Sequence, residues 1–271
     1  MRPVNIPADI SRFVNNDLDR DEMCLLAYES YQRIKSDDPE ISIVMPAYNE
    51  AENIVPALTS LCCNITDKRV EIIVVNNNSK DDTEDWVRKC GVTCVFEGEQ
   101  GIAHARTAGL RAARGKYILN ADADTLYPKD WMNLIVQPLI DNDRIAMTYG
   151  KFSFIPVGST GRVTYFIYEH LADFTRWLNK YVKDEAVNVY GFTSALRKAQ
   201  ALNVNGFEQP PGTVEDGYMA FKLRNKGYGK LHNVTNSKAL VWTTDRRIQL
   251  DGGIVKGSWR RIKRVFFKGS R

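Results

Sequence analysis

Two aspartates one residue apart, Asp122 and Asp124, close the segment GKYILNADADT. The preceding Tyr-Ile-Leu run is β-branched and aromatic and reads as a buried strand. Two carboxylates this close repel each other unless a cation stands between them. A hard divalent cation such as Mg²⁺ takes oxygen ligands and bridges to phosphate. The pair is therefore a candidate metal and phosphate site, with a solvated polar strand end as the plainer reading. A second pair, Glu215 and Asp216 in GTVEDGYMAFKLRNKG, falls at a helix start. The helix dipole alone would favour anions there. A general base that takes a proton from a nucleophile is the functional reading. Arg106 in GIAHARTAGLRAARG is placed on the first turns of a helix, where it either contacts phosphate or sits as a surface charge.

The elements around these residues alternate. ISIVMPA, VEIIVVN, VTCVFEG and KYILNAD read as strands. EAENIVPALTSLCCN, DDTEDWVRKC, GIAHARTAGLRAARG and KDWMNLIVQPLID read as the helices that follow them. Repeated strand–helix units imply right-handed crossovers and a mostly parallel sheet with helices on both faces. Ligands of such sheets bind beyond the carboxyl ends of the strands, which is where Asp122 and Asp124 fall. The first strand ends in PAYNE and the second in NNNSKDDT; asparagines there suit either a nucleobase edge or a tight turn. In the second half IAMTYGKFSF reads as one strand and VTYFIYEHLADFTRWLNKYV as a long amphipathic helix. VNVYGFTSALRKAQALNVNGF then reads as a loop leading into a helix, and SKALVWTT as a strand.

The composition, 44% hydrophobic and 26% charged, is that of an ordinary globular domain. A net charge of +4 is too small to indicate a nucleic-acid partner. Five cysteines without metal-ligand spacing fit reduced thiols of a cytoplasmic protein. The opening MRPVNIPADISRF lacks the apolar core of a signal peptide, and no run is long and apolar enough to span a bilayer. A G-x-G-x-x-G after the first strand, a G-x-x-x-x-G-K-[ST] loop and a G-x-S-x-G elbow are all absent, which argues against dinucleotide, P-loop and hydrolase chemistry.

Taken together, SIVMPAYNEAENI, EIIVVNNNSKDDT, GIAHARTAGLRAARGKYILNADADT, GFTSALRKAQALNVNGFE and VEDGYMAFKLRNKGY resemble glycosyltransferase family 2. The resemblance runs from about Ile41 to Arg247. It implies a GT-A fold, a Rossmann-like α/β architecture, and a nucleotide-sugar donor bound with Mn²⁺ or Mg²⁺. It also implies inversion at the anomeric carbon. Pro46, Ala47, Tyr48 and Glu50 would line the nucleoside pocket, and Asn77 stands where the family often has an acidic residue against the base. Asp122, Ala123 and Asp124 match the D-x-D motif, with Asp122 near the ribose or metal-bound water and Asp124 on the metal. Asp216 matches the catalytic base, with Glu215 its neighbour. Gly191, Phe192 and Thr193 match the segment near sugar and acceptor. Processive relatives carry Q-x-x-R-W where this chain has TTDRRIQLDGG, so transfer of a single residue is expected. Arg246 and Arg247 would close over the diphosphate or form a solvated basic loop. His232 is read as structural.

The expected layout is an arm over 1–40, a GT-A domain over 41–250 and a basic amphipathic tail over 251–271. The expected activity is metal-dependent transfer from a UDP-sugar to a hydroxyl of a glycan or lipid-linked acceptor, in cell-envelope or polysaccharide synthesis. Lys256 to Arg271 hold seven Lys or Arg and no acidic residue, which suits peripheral contact with an anionic inner membrane face as well as a helix packed on the domain. The rival readings are a sugar nucleotidyltransferase, which would need a Gly-rich basic loop in place of PAYNEAENI, and a non-catalytic nucleotide-sugar-binding scaffold.

Overall fold

The computed structural model describes residues 2–15, 17–158, 160–250 and 253, and of Arg247 the main chain alone. Apart from Gly253, the tail over 251–271 lies outside the described residues. The chain opens with α1 (Ala8–Ser11) and α2 (Arg20–Gln32). Strand–helix units follow: β1 (Ile41–Ala47), α3 (Ile54–Cys62), β2 (Val70–Asn76), α4 (Thr83–Lys89), β3 (Thr93–Phe96), α5 (Ile102–Ala112) and β4 (Tyr117–Asn120). Next come β5 (Thr125–Leu126), α6 (Trp131–Asp141), β6 (Ile145–Tyr149), β7 (Phe152–Ile155), α7 (Arg162–Val182), β8 (Ser194–Arg197) and α8 (Lys198–Asn203). The described chain ends with α9 (Glu215–Asn225), β9 (Lys230–Asn233), β10 (Val241–Thr244) and α10 (Arg246–Leu250).

Seven strands form the main sheet in the order β3-β2-β1-β4-β8-β6-β9. All pairs are parallel except those of β8, which runs antiparallel to β4 and β6. Side chains alternate across a strand, and this separates two layers. Ile43, Met45, Ile72, Val74 and Leu119 pack with α2, α3 and α6 on one face. Val44, Ile73, Val75 and Ile118 pack with α5, α8 and α9 on the other. Helix α5 comes so close that a Cβ on Gly109 would overlap the Val44 side chain. The parallel register sets Ala47 beside Asn76 and Val44 beside Asn120, so β4 stops three residues short of the end of β1 and the following residues turn across the sheet edge.

A small sheet, β5-β10-β7, holds that edge from the side. Pairing of Thr125 with Thr243 brings the end of β10 against Asp124, so Arg246 reaches the same place. Several sequence readings are corrected here. IAMTYGKFSF is two strands in different sheets, because the chain breaks at Gly150, whose N–H bonds Thr193 O at 2.7 Å. GFTSALRKAQ contains the central strand β8, which is four residues long and ends in a buried Arg197 that donates to the carbonyls of Leu139 and Ile145. Helix α3 starts at Ile54, since Asn49 takes a left-handed φ of 53° and Glu50 to Asn53 form a turn. In SKALVWTT the first residues coil into a 3₁₀ turn and only Val241–Thr244 is strand.

The N-terminal segment packs α2 on α3, with Met23, Cys24, Ala27 and Tyr31 buried in the same core as Leu58 and Leu61. Asp19 and Glu22 form a reciprocal capping box at its start. Tyr31 Oη accepts from the Ile72 N–H at 2.8 Å, where β3 pairs with β2 only from Ile73 onward. Tyr31→Phe should therefore cost about 1–3 kcal/mol by leaving a buried donor unpaired. Urea denaturation measures it; unchanged stability would mean that the Tyr31 hydroxyl adds nothing to the fold. Among the described residues no helix is long and apolar enough to cross a membrane.

Candidate active site

A cleft of about 370 Å³ opens at the carboxyl edge of β1, β2 and β4. Pro46, Ala47, Tyr48 and Glu50 form one wall, Gln100, Gly101, Ile102 and Ala105 another, and Asn77 with Asp122, Ala123 and Asp124 the floor. Asn77 is buried, and its amide is committed to the loop beside it: Nδ2 donates to Glu97 O and Glu99 O, and Oδ1 accepts from Gly101 N–H at 2.8 Å. It thus holds the 97–101 turn that starts α5. Asn78 takes a left-handed φ of 61° and Asn76 bonds Glu84 and Ser79 N–H, so this run builds the turn.

Arg106 is the centre of charge. It lies five residues into α5, is 1% exposed, and points toward the strand ends. Its Nη2 donates to Asp122 Oδ1 at 2.8 Å, and its Nε stands 3.3 Å from Asp216 Oδ1. Nε and Nη1 have no hydrogen-bond partner. One guanidinium thus serves carboxylates from β4 and from α9, separated in sequence by more than ninety residues.

Asp216 is the second residue of α9 and is buried. Its Oδ2 accepts from Gly191 N–H at 2.6 Å. A Cβ on Gly191 would overlap Arg106 Nη2 and both Asp216 carboxylate oxygens, so only glycine fits between them. Burial pushes the Asp216 carboxyl up to about 7; Arg106 opposes the rise, and the charges of Glu215 and Asp122 add to it. Arg106 loses solvation by burial, yet Asp216, Asp122 and Glu215 hold its pKa above the ordinary value, so it stays a cation. Three carboxylates against one guanidinium leave excess negative charge, which adds to the burial that makes the most enclosed of them titrate high.

Glu215 is half-buried at the helix start. Thr193 points away, its Oγ1 accepting from Trp131 Nε1 at 3.2 Å. Phe192 packs edge-on against Phe152 and turns its carbonyl to Tyr127 Oη. Tyr127, which no sequence motif marks, joins the halves: its hydroxyl accepts from Asp122 N–H at 2.8 Å and donates to Phe192 O at 3.1 Å. Burial and then the Asp122 charge raise its pKa well above the ordinary value, so it remains a neutral phenol.

Arg246 straps the mouth. Its Nη2 donates to Glu50 Oε1 at 2.6 Å and lies 3.7 Å from Asp124 Oδ2. His232 lies on β9, away from these groups. Among the described residues no three His, Cys, Asp or Glu cluster as a closed metal site. The available donors are hard carboxylate oxygens of Asp122 and Asp124, and a cationic guanidinium already stands beside Asp124. That set fits Mg²⁺ or Mn²⁺, which bind through one or two carboxylates and complete their shell with water and phosphate.

The glycosyl transferase family 2 profile matches residues 42–202. A Bacillus subtilis protein named "Probable glycosyltransferase YdaM" is 28% identical over 206 residues, 70% of this chain and 48% of that protein. The chain spans less than half the length of such curated relatives. Among solved structures, the mannosyltransferase PcManGT of Pyrobaculum calidifontis, bound to GDP-Man and Mn²⁺, superposes with a TM-score of 0.56 at 21% identity, covering 94% of this chain and 76% of that one. Glucosyl-3-phosphoglycerate synthase of Mycobacterium tuberculosis, with Mn²⁺, UDP and phosphoglyceric acid, gives 0.55 at 21% identity over 83% of this chain and 76% of that one.

Proposed function

The chain belongs to glycosyl transferase family 2, and from that premise we propose that it is a glycosyltransferase that carries out metal-assisted, inverting transfer of one sugar from a nucleotide-sugar to an acceptor hydroxyl, with Asp216 as the base. The observation that carries this reading is Arg106, which ties Asp122 at the cleft floor to Asp216 across one guanidinium. Donor and base are thereby parts of one electrostatic unit.

Pro46, Ala47 and Tyr48 flank the nucleoside, and Asn77 acts by fixing the 97–101 turn beneath it. Asp122 and Asp124 hold the cation, Mn²⁺ or Mg²⁺, which when bound neutralises charge on the departing diphosphate. Asp216 takes the proton from the acceptor hydroxyl, whose oxygen forms the new bond to the anomeric carbon as the bond to the diphosphate oxygen breaks. A single displacement inverts that carbon. Arg106 keeps Asp216 oriented, Gly191 leaves room for both, and Arg246 moves from Glu50 and Asp124 onto the donor's phosphates. Glu215 adds negative charge beside the base. The acceptor, a glycan or a lipid-linked hydroxyl, enters past Gly191 and Phe192. An activity in cell-envelope or polysaccharide synthesis fits this chemistry.

A uridine diphosphate sugar is the first donor to test, and the GDP-Man neighbour makes a guanosine donor the second. Thermal shift with UDP, GDP and their sugars should show stabilisation that requires Mn²⁺; stabilisation by none of them would defeat the reading. Asp124→Ala should weaken Mn²⁺-dependent binding by at least the ~10–100-fold that losing a support of a metal ligand costs, read by calorimetry. Unchanged affinity would remove Asp124 from the metal.

A further inference from the structure

Helix α7 is built inside out. Its 21 residues make it about 31 Å long, and its polar stripe faces the protein. Glu169, 1% exposed, accepts from Arg162, Ser153 and Phe154 N–H, and Asp173 accepts from Arg2, Lys151 and Arg176. The opposite stripe is apolar and points outward. Ile167, Leu171, Phe174, Trp177 and Tyr181 recur at helical spacing and are each more than half exposed. Of the described residues of α7 only Tyr165 and Glu169 are buried. Both carboxylates of α7 lie on the inner stripe, so the outer one carries no negative charge.

We propose that this face of α7 docks on an anionic lipid bilayer, lying in the plane of the headgroups. Three observations choose this occupant. Trp177, Tyr181 and Phe174 are amphipathic or aromatic side chains that favour a membrane interface. Charge is complementary: Lys183 stands exposed at one end of the helix, next to a Lys180 that is paired with Glu185 at 2.6 Å. At the other end Gln249 of α10 bonds Tyr165 Oη, so the described chain ends beside α7, and in the sequence Lys256 to Arg271 then hold seven Lys or Arg and no acidic residue. A second copy of the chain is the rival occupant, and the oligomeric state of parent and variant in solution decides between the two. This inference does not depend on the transfer chemistry.

Flotation of the full chain tests it, with vesicles of phosphatidylcholine alone and of phosphatidylcholine and phosphatidylglycerol at three to one. The parent should float with the anionic vesicles. The triple variant Ile167→Ser, Leu171→Ser, Phe174→Ser should lose partitioning by about tenfold or more with an unchanged Tm, since all three positions are exposed. Equal partitioning of parent and triple variant overturns the proposal, leaving the basic segment alone as the attachment. So does a parent dimer in light scattering that the triple variant dissociates while neither floats. A lowered Tm in the triple variant also overturns it, because the stripe would then be covered by this chain's own tail.

Discussion

Asp216→Asn is expected to bind a nucleoside diphosphate with Mn²⁺ as tightly as the parent chain and to transfer sugar about 10²–10⁴-fold more slowly. The amide is nearly isosteric and its oxygen can still accept from Gly191 N–H, so the Arg106 environment persists. What is lost is the ability to take a proton. A carboxyl raised to about 7 must first be ionised to act, so kcat/KM of the parent should rise with pH through about 7 and level off above it. Stability moves the opposite way. The folded-state pKa lies above the unfolded value, so the folded chain binds more protons between about pH 4 and 7, and this group's contribution, full below that window, is lost as pH rises through it. The Tm of Asp216→Asn relative to the parent should therefore increase from pH 5 to pH 8. A variant that transfers at the parent's rate would remove Asp216 from the chemistry, and a flat Tm difference would contradict the raised pKa.

Arg106→Met should be the most destabilising of these substitutions. It removes the cation between Asp122 and Asp216 and leaves two enclosed carboxylates uncompensated, which typically costs about 3–5 kcal/mol. Losing Arg106, which now opposes the rise, should push the Asp216 pKa higher still. The loss should then shrink as pH falls, because a protonated carboxyl needs no cationic partner. Urea denaturation at pH 8 and pH 5 reads both effects, and Arg106→Lys, which keeps the charge but not the two-sided reach, should recover part of the stability. Equal stability of parent and Arg106→Met at pH 8 would show that the guanidinium does not hold the two halves together.

Much of the fold is legible because burial on both faces forces near-continuous apolar runs in β1, β2 and β4, and such runs are visible without an alignment. Strand β8 is not legible for the same reason in reverse: it is four residues long, and it ends in an arginine that is satisfied by three carbonyls and the Asp143 carboxylate, all from distant residues. The break within IAMTYGKFSF depends on Gly150 meeting Thr193, a contact of long sequence separation. At the site, carboxylates at a strand end and a helix start can be picked out by type, but nothing local reveals that Arg106 lies between Asp122 and Asp216. Tyr127 and the room that only Gly191 leaves belong to the same class of long-range facts. Asn77 shows the converse, since a polar residue aimed at a cleft can have its whole amide engaged by the adjacent loop. The period of α7 reveals two stripes, yet only its partners Arg2 and Ser153 decide which of them faces inward.

Crystals soaked with UDP and Mn²⁺ and measured at the manganese absorption edge give the most direct test. One donor cleft shared by Asp122, Asp124 and Asp216 predicts an anomalous peak on the Asp122 and Asp124 carboxylates, with the diphosphate between Tyr48 and Arg246 and its free end toward Asp216. A manganese peak or nucleotide on another face of the molecule, with that cleft left empty, would contradict it.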